Sequence, residues 1–339
     1  MTDKILVTGG AGYIGAHMVR ILDQNGYSPV VFDNLSTGHR EFVPETVPFI
    51  EGDLRNVSEI EGVFRTHRIT GVLHFAAALV VPESVANPVK YYDNNFCGSL
   101  NLLTKMLEHG VHKLVFSSTA TVYGNANTIS VTEDTPTIPV SPYGNTKLFV
   151  EHMISDIARA TKLRYATLRY FNVAGCHEKW GIGIQTRDST FLIPSLMQVA
   201  CGVKQSLTIF GNDYDTPDGT CIRDYISVLD LCEAHLLAYK ALDGDGQNQV
   251  FNIGTGHGLS VLDIIRHAKK VTGKNIPYEF AERRPGDAGQ IFANSQKAGK
   301  LLGWASHTSL TEILHSAWEW QKRLSGQSTD LKSPAAARK

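Results

Sequence analysis

Tyr143 and Lys147 are the residues of this chain whose types and spacing most directly suggest chemistry. They stand four residues apart, just after Pro142, and proline is tolerated in the first turn of a helix, so both side chains should lie on one helical face. A free tyrosine has a pKa of about 10, and a neighbouring ammonium should lower it by favouring the phenolate. The pair therefore predicts a tyrosine that acts as general acid and base, although the spacing alone also fits an ordinary exposed pair.

A hydroxyl-rich strand end precedes this pair. Residues 113–117 form a short apolar run that ends in Ser117 and is followed by Ser118 and Thr119. Ligands of open α/β sheets bind at the carboxyl ends of the strands, so Thr119 could hydrogen-bond the same substrate hydroxyl as Tyr143. Serines and threonines also serve as turn and cap residues, but the three groups together favour a catalytic site.

A glycine-rich turn near the N-terminus predicts a dinucleotide site. The strand pattern of residues 4–8 leads into GGAGYIG at 9–15, and a helical pattern follows. Gly9 and Gly12 permit a tight turn and a close approach of backbone to phosphate, and Gly15 lets the helix pack against the strand. The free N–H groups at the start of that helix would face the anion. A purely structural glycine turn is the alternative.

Two carboxylates follow the next strand patterns. Asp33 closes the second apolar run, where it would bind the adenosine ribose hydroxyls and repel a 2′-phosphate, which predicts NAD rather than NADP. Asp53 follows the third run and could reach the adenine, but an aspartate in a loop is as often a helix cap.

The elements that must position these groups alternate between short apolar runs and helical segments. This alternation is typical of an α/β fold with a Rossmann-type, doubly wound parallel sheet covered by helices on both faces. The strand candidates are 4–8, 28–33, 47–51, 71–75, 113–117 and 164–169, with long helices over about 88–108 and from 142 to about 160.

After Tyr170, stretches rich in Gly, Asp and Thr interrupt shorter elements, which predicts a smaller mixed α/β lobe for the substrate. We assign residues 1–172 to the NAD-binding domain, to which 226–253 should return with a helix at 228–239 and a strand at 250–253. Residues 173–225 and 254–325 should form the substrate-binding lobe, whose last helix covers about 310–324. Residues 326–339, rich in Ser, Lys and Ala, are expected to be disordered.

The composition excludes several classes of function. The chain has 339 residues and a net charge of -1, without the basic excess of a nucleic-acid-binding protein. No apolar run approaches the length of a membrane span and no signal-peptide pattern is present, so we expect a cytoplasmic protein without a membrane partner. The five cysteines and the dispersed histidines lack the spacing of a disulfide framework or of a metal site.

With these residues in place, the sequence resembles the extended short-chain dehydrogenase/reductase family, and within it the UDP-glucose 4-epimerases. The resemblance runs from about residue 4 to residue 324. Its most specific blocks are VTGGAGYIG (7–15), HFAA (74–77), ESVANPVKYYDNN (83–95), FSSTATVYG (116–124), SPYGNTK (141–147), LRYFNVAG (168–175), IFGNDYDTPDGTCIRDYI (209–226) and RRPGD (283–287).

The resemblance implies reversible C4 epimerisation of a UDP-hexose, either UDP-glucose or UDP-galactose. Tyr143 would take the proton of the 4-hydroxyl while the C4 hydride passes to bound NAD, which gives a 4-keto sugar. The keto sugar would then rotate in the pocket and receive the hydride on its opposite face and the proton from Tyr143. Lys147 would bind the nicotinamide ribose and, helped by the positive nicotinamide, hold down the tyrosine pKa. A homodimer through the helices at 88–108 and 142–160 is expected by the same analogy.

The resemblance also implies the other site residues. Those expected to bind the cofactor are Gly9, Gly12, Tyr13, Ile14, Gly15, Asp33, Asn34, Asp53, Leu54, Phe75, Ala76, Ala77, Asn94, Ser117, Tyr143, Lys147, Tyr170 and Phe171. Those expected to bind the UDP-sugar are Thr119, Tyr143, Asn172, Phe210, Arg223, Arg284 and Asp287. The arginines would bind the phosphates through their bidentate forks, and Asp287 would bind the uridine ribose.

Three positions depart from the common epimerase pattern. Leu79 stands where many members have a lysine near the cofactor, Phe191 where many have Asn, and Ile291 where many have a bulky Tyr beside the sugar. We hypothesise that Ile291 leaves space for an N-acetyl group at C2, although Phe191 could refill it. Epimerisation of UDP-N-acetylhexosamines, or of UDP-xylose and UDP-arabinose, therefore stays open.

Two further alternatives concern the type of chemistry. Related dehydratases and decarboxylases have an acidic residue directly after the catalytic Ser or Thr, but Ala120 and Thr121 follow Thr119 here, which argues against elimination. A catalytically idle NAD-binding regulator would typically have lost the tyrosine or the lysine. The presence of Tyr143 and Lys147 argues against it.

Overall fold

The computed structural model describes residues 3–126, 130–185, 189–243, 248–284 and 288–327. Its strands are β1 (Lys4–Thr8), β2 (Pro29–Asp33), β3 (Phe49–Glu51), β4 (Ile69–His74), β5 (Lys113–Ser117), β6 (Ser130–Val131), β7 (Arg164–Tyr170), β8 (Asn172–Ala174), β9 (Leu207–Phe210), β10 (Ile222–Ser227), β11 (Gln249–Ile253), β12 (Gly258–Ser260), β13 (Tyr278–Ala281) and β14 (Gln290–Ala293).

The α-helices are α1 (Tyr13–Gln24), α2 (Val57–Thr66), α3 (Val81–Ala86), α4 (Pro88–Tyr91), α5 (Gly98–Glu108), α6 (Pro142–Ala160), α7 (Leu192–Ala200), α8 (Val228–Ala241), α9 (Val261–Thr272), α10 (Gln296–Leu302) and α11 (Leu310–Leu324). Short 3₁₀ turns lie at Arg40–Phe42 and Ala120–Tyr123, and a π-helical turn lies at Tyr92–Cys97.

The main sheet has seven parallel strands in the order β11-β7-β5-β4-β1-β2-β3. Successive residues of a strand point to opposite faces, so both faces of such a sheet need an apolar cover. Ile5 and Val7 of β1 pack into one core with α1 and α8, and Leu6 packs into the other with α2, α5 and α6. The predicted doubly wound parallel sheet with helices on both faces is therefore confirmed.

The predicted strands agree closely with the observed ones. The runs at 4–8 and 113–117 coincide with β1 and β5, and 164–169 is one residue shorter than β7. β2 and β3 begin slightly later than predicted, and β4 covers 69–74 rather than 71–75. Each of these strands ends within one residue of its predicted end, which matters because the site lies at the carboxyl ends.

The prediction of one continuous helix over 88–108 is wrong in one respect, because a π-helical turn separates α4 from α5. Such a turn adds a residue between hydrogen-bonded groups and rotates the following residues about the helix axis. The Asn95 side chain, within this turn, hydrogen-bonds both the N–H (2.8 Å) and the carbonyl O (3.0 Å) of Ala78. The irregular turn thus binds the loop that follows β4.

The remaining strands build a second sheet in the order β12-β10-β14-β6, with β8 also paired to β10, and a separate pair of β9 with β13. Leu196 of α7, Ile264 of α9 and Leu314 of α11 share a core beside it. β6 comes from within the range 1–172 but pairs with β14, and β11 joins the main sheet next to β7. The chain therefore crosses between the two sheets several times. Asp287 and residues 328–339 of the predicted disordered tail lie outside the described residues.

Candidate active site

The glycine turn between β1 and α1 is shaped by close backbone contacts. Gly9 has a φ of 71°, and a Cβ there would lie 2.6 Å from the backbone N of Ala76. A Cβ on Gly15 would lie 2.2 Å from the carbonyl O of Gly9. Neither position has room for a side chain, so the helix, the turn and the loop after β4 meet backbone to backbone.

The N-terminus of α1 offers unpaired donors to an anion. Gly12 is the N-cap and supplies no side-chain acceptor, and the first turn contains no acidic residue. The N–H groups at this end, together with the helix dipole, therefore favour a bound phosphate. Tyr13 and Ile14 begin the helix, and the Tyr13 hydroxyl donates to the carbonyl O of Gly175 at 2.5 Å.

Asp33 lies at the end of β2 beside the same turn. Its carboxylate accepts hydrogen bonds from the N–H groups of Ala11 (3.0 Å) and Leu35 (2.8 Å). Burial raises the pKa of Asp33, and these two hydrogen bonds act against that rise. Each carboxylate oxygen keeps a lone pair for a further donor, so the orientation suits the ribose hydroxyls predicted for it.

Asp53 follows β3 and is held by Arg55, whose Nε and Nη2 donate at 2.9 and 2.7 Å. The Asn34 amide donates to Asp53 at 2.9 Å. The hydrogen bonds from Arg55 lower the pKa of Asp53 well below its usual range. The helix-cap alternative is wrong because Asn56 caps α2. Leu54 is buried between these residues and α5.

The loop after β4 carries Phe75, Ala76 and Ala77 past the glycine turn. The Phe75 ring lies 4.8 Å from the ring of His235 on α8, measured between centroids. Asn94 donates to the side chain of its neighbour Asn95 at 2.9 Å. The sequence prediction names Asn94 but not Asn95. The π-helical turn places the Asn95 side chain against the backbone of Ala78, and Asn94 in turn hydrogen-bonds Asn95.

Tyr143, Thr119 and Lys147 converge beyond the end of β5, as predicted. Thr119 hydrogen-bonds the Tyr143 hydroxyl, and its Oγ1 lies 2.5 Å from Oγ1 of Thr121. Lys147 is buried, and its Nζ donates to the carbonyl O of Ser117 at 2.9 Å. The spacing on α6 thus brings the phenol and the ammonium to the same strand end.

Burial shifts the pKa values of Tyr143 and Lys147 towards their uncharged forms. Burial raises the pKa of Tyr143 above its usual value, Tyr170 adds to this rise, and the hydrogen bond from Thr119 offsets part of it. Burial lowers the pKa of Lys147 to about 7, with Glu151 acting in the opposite direction. In the chain alone, removal from water penalises both charged forms. The expectation that Lys147, helped by the positive nicotinamide, lowers the tyrosine pKa concerns the site with NAD bound and stays a prediction.

Tyr170 and His235 complete the polar group around Ser117. Ser117 Oγ lies 3.0 Å from the Tyr170 hydroxyl and 3.3 Å from Nε2 of His235. Nδ1 of His235 lies 2.9 Å from the carbonyl O of Leu231, which assigns the ring proton to Nδ1 and makes Nε2 an acceptor. Burial lowers the pKa of His235 to about 4, so this histidine is neutral at pH 7.

The described residues predicted to bind the UDP portion lie outside the main sheet, on β8, β9 and β10 and in the loop after β13. The Asn172 side chain on β8 hydrogen-bonds that of Tyr225 on β10. The Arg284 guanidinium lies 3.8 Å above the centroid of the Phe210 ring. Arg223 on β10 donates to two backbone carbonyls at 2.9 and 3.4 Å. Arg223 therefore lies on β10 and Arg284 in the loop after β13, and their shared binding of one phosphate ligand stays a prediction.

The three unusual positions have different surroundings. Leu79 is 46% exposed in the loop before α3, and Phe191, the N-cap of α7, is 44% exposed. Ile291 is buried in a cluster with Phe171 and is the register partner of Arg223. Ile291 therefore lies next to a predicted substrate residue, while its effect on sugar choice stays a prediction.

Two negative findings apply to the part of the chain that the structure describes. Its His, Cys, Asp and Glu residues form no group of three or more that could hold a metal ion. None of its helices has both the length and the apolar character needed to cross a membrane.

The parallel sheet, its glycine turn and the Thr, Tyr and Lys group define a Rossmann-type nucleotide-binding protein with a site for proton transfer. The model of the NAD dependent epimerase/dehydratase family matches residues 5–254, and the chain belongs to this family.

Known relatives resemble the chain over nearly its whole length. A UDP-glucose 4-epimerase from Halalkalibacterium halodurans is 48% identical over 319 residues, which cover 94% of this chain and 95% of the relative. The crystal structure of a UDP-glucose 4-epimerase from Bifidobacterium longum in complex with NAD+ and UDP has a TM-score of 0.91 at 39% identity, covering 96% of this chain and all of the other. The enzyme from Stenotrophomonas maltophila, with bound NAD and formylated UDP-arabinopyranose, has a TM-score of 0.92 at 40% identity, covering 96% and 99%.

Proposed function

We propose that this chain is an NAD-dependent UDP-sugar 4-epimerase that interconverts UDP-glucose and UDP-galactose. The observation that carries the proposal is the convergence of Tyr143, Thr119 and Lys147 next to a glycine turn that has no room for side chains. The high identity to UDP-glucose 4-epimerases over almost the full chain supports this reaction over the other chemistries of the family.

The residues at the end of β1 and β2 fit NAD. Gly9 and Gly15 let the backbone approach a pyrophosphate, and the uncapped N-terminus of α1 supplies N–H donors to it. Asp33 would bind the adenosine ribose and disfavour the 2′-phosphate of NADP. When bound, NAD would accept the hydride from C4 of the sugar and later return it to the opposite face.

Tyr143 moves the proton in this scheme. As a phenolate it would take the proton from the 4-hydroxyl as the C–H bond at C4 breaks, and as a phenol it would return that proton once the C–H bond forms again. Thr119, which hydrogen-bonds the tyrosine, would hold the same substrate oxygen. Proton and hydride both return to the sugar, so the net change is inversion at C4.

Lys147 is placed to orient this proton transfer. Its Nζ is fixed by the carbonyl O of Ser117, and Ser117 also binds Tyr170 and His235. A cation fixed one helical turn after Tyr143 favours the phenolate electrostatically whenever Lys147 is protonated. Lys147 and the Tyr170 hydroxyl, which lie around Ser117, would also contact the nicotinamide ribose.

The absence of a second acid beside Thr119 limits the chemistry. The hydroxyl of Thr121 is bonded to Thr119, and Ala120 between them starts a 3₁₀ turn. No carboxylate stands at these two positions, so nothing there would remove a proton from C5 to drive elimination. The keto sugar would therefore be reduced again.

Nucleotide recognition falls largely to residues outside the main sheet. Arg223 and Arg284 would bind the phosphates, Phe210 and Asn172 would line the nucleotide, and Asp287 would bind the uridine ribose. In this assignment 1–172 and 226–253 bind NAD, and residues 173–225 and 254–325 bind the UDP-sugar. Thr119, Tyr143 and Asn172 would reach the substrate from the first range.

An assay of the purified protein against a panel of UDP-sugars, without added NAD, tests the function. We expect UDP-glucose and UDP-galactose to interconvert, with slower turnover of UDP-GlcNAc and UDP-xylose. A protein that retains NAD but converts none of these sugars would refute the proposal. Undetectable UDP-GlcNAc turnover beside brisk UDP-glucose turnover would refute the separate hypothesis that Ile291 makes room for an N-acetyl group.

A Tyr143→Phe variant tests the mechanism. Loss of the phenol should reduce kcat by about 10²–10⁴-fold, the usual range for general acid–base catalysis, while NAD stays bound. Tyr278→Phe on β13, an exposed tyrosine, is the matched control and should keep full activity. Full activity of Tyr143→Phe would disprove the proposed proton transfer.

We also propose that the protein is a homodimer through the helices at 88–108 and 142–160. Val89 of α4 is 75% exposed, and Leu100 of α5 and Phe149 of α6 are also exposed. The Phe149 ring lies 6.2 Å from that of Tyr92 and 6.4 Å from that of Phe96, so these three rings form one apolar cluster. A contiguous face of this kind is typical of a protein interface.

A further inference from the structure

A buried carboxylate lies one helical turn beyond Lys147 and has no role in the scheme above. Glu151 stands four residues after Lys147 on α6, on the same face of the helix, and is 6% exposed. Arg169 of β7 donates to it through Nε at 3.1 Å and through Nη2 at 2.6 Å. Ser118 also donates its hydroxyl proton to this carboxylate.

The position of Ser118 gives this ion pair a direct connection to the site. Ser118 stands between Ser117, whose carbonyl O holds Lys147, and Thr119, which bonds Tyr143. Glu151 therefore ties the end of β5 to α6 through Ser118, whose two neighbours are the partners of Lys147 and Tyr143. A shift of Ser118 would move the partners of the phenol and of the ammonium together.

The pair is anchored on its far side as well. Arg169 Nη1 donates to the Tyr123 hydroxyl at 3.1 Å, and this hydroxyl donates to Oδ1 of Asn252 on β11 at 2.6 Å. The polar chain thus links α6, β5, β7, the turn after β5 and β11. Each link is buried, so none of its members can be satisfied by water instead.

Stability alone is a weak reason to bury such a pair. Removing two charges from water is expensive, and apolar residues of similar volume often replace buried ion pairs without loss of stability. A pair that contacts the catalytic strand end can instead fix geometry and place charge where the reaction uses it.

We propose that Glu151 is a positioning residue for the epimerisation, which holds Ser118 against α6 and thereby fixes the two neighbours of Ser118 that bind Lys147 and Tyr143. The proposal rests on the function proposed above. It assigns to the Glu151–Arg169 pair an electrostatic role that an apolar pair of the same size could not perform.

The titratable groups around Lys147 are consistent with this role. Tyr143 and Glu151 share its helix, His74 faces it from β4, and Tyr170 and His235 reach it through Ser117. The Arg169 cation from β7 lies against Glu151. Among these groups Glu151 is the one that raises the pKa of Lys147, against the burial that lowers it to about 7. Loss of the carboxylate should lower that pKa further.

The test is Glu151→Gln, which keeps the size of the side chain but removes its charge. We expect kcat with UDP-glucose to fall at least about tenfold with KM within about twofold, and the alkaline limb of the kcat–pH profile to move about one unit to lower pH. Glu108→Gln, at an exposed ion pair at the end of α5, is the matched control and should leave both readouts unchanged. A merely structural role would lower the melting temperature without moving the pH profile.

A folded Glu151→Gln enzyme with wild-type kcat and an unmoved alkaline limb overturns the proposal. If this variant does not fold, Ser118→Ala decides, since it keeps the ion pair and removes only the link to the strand end. A loss of kcat of about fivefold or more at unchanged KM supports the proposal, and wild-type kcat overturns it. A wild-type enzyme that does not convert UDP-glucose would instead refute the proposed function.

Discussion

Acidification should destabilise this protein through its buried histidines, and His17 on α1 offers the sharpest test. His17 is fully buried, and its Nδ1 lies 2.7 Å from the carbonyl O of Tyr13. Its Nε2 accepts a hydrogen bond from the N–H of His177 at 3.2 Å, so the ring is a neutral tautomer with the proton on Nδ1. Burial lowers the pKa of His17 to about 4.

The magnitude follows from the difference between the folded and unfolded pKa values. The unfolded pKa is 6.5 and the folded one about 4, so below pH 6.5 the unfolded chain binds a proton that the folded imidazole does not. The free energy of unfolding is therefore unaffected by His17 above pH 6.5 and decreases as the pH falls towards 4. At 1.36 kcal/mol per pKa unit, the decrease is about 2 kcal/mol at pH 5 and about 3.4 kcal/mol well below pH 4.

The assay compares urea unfolding of wild type and His17→Gln at pH 7 and pH 5, with NAD at one saturating concentration. The glutamine amide oxygen can still accept from the His177 N–H but cannot be protonated. Wild type should lose about 2 kcal/mol more than the variant between the two pH values, whatever their difference at pH 7. His257→Gln, at an exposed histidine, is the control and should behave as wild type. Equal losses in wild type and His17→Gln would refute the reasoning.

Three further predictions concern the cofactor turn, the π-helical turn and the interface. Gly15→Ala places a Cβ 2.2 Å from the Gly9 carbonyl O and should weaken NAD binding about 10–100-fold in a titration. Gly62→Ala, where a Cβ would meet nothing within 4 Å, is the control and should leave NAD affinity unchanged, with the free energy of unfolding equal or slightly higher. Asn95→Leu removes the bonds to Ala78 and should lower the free energy of unfolding by about 3 kcal/mol or more in a urea titration; an unchanged value would contradict this. Phe149→Ser should give a folded monomer by light scattering, and a persistent dimer would exclude this face.

The fold could be predicted from the sequence where the determinants are local. A parallel strand buried on both faces needs a continuous apolar run, and the run at 113–117 coincides with β5. The spacing of Tyr143 and Lys147 is sufficient to predict a shared helical face because the helix itself is regular. The glycine turn is similarly local, since Gly9 and Gly15 constrain each other across six residues.

Features that depend on contacts between distant segments could not be predicted. The π-helical turn is defined by its hydrogen-bonding pattern, and Asn95 acquires its role through Ala78 and Thr146, which are far away in sequence. The two-residue strand β6 is a strand because β14 pairs with it. Ser118 and Arg169 likewise meet Glu151 only in the folded chain.

The pKa of Tyr143 shows how far residue spacing can predict chemistry. Four-residue spacing correctly places an ammonium near the phenol, but the sign of the pKa shift depends on burial, which penalises the phenolate and the ammonium alike. The pKa of Lys147 is itself only about 7, so near neutral pH part of its positive charge is lost. The chain alone therefore does not make Tyr143 a base. Tyr143 therefore needs an added positive charge close by, and the oxidised nicotinamide ring of NAD carries one. The tyrosine should be a base when NAD is oxidised and an acid once that charge is gone, which matches the order of proton transfers that epimerisation at C4 requires.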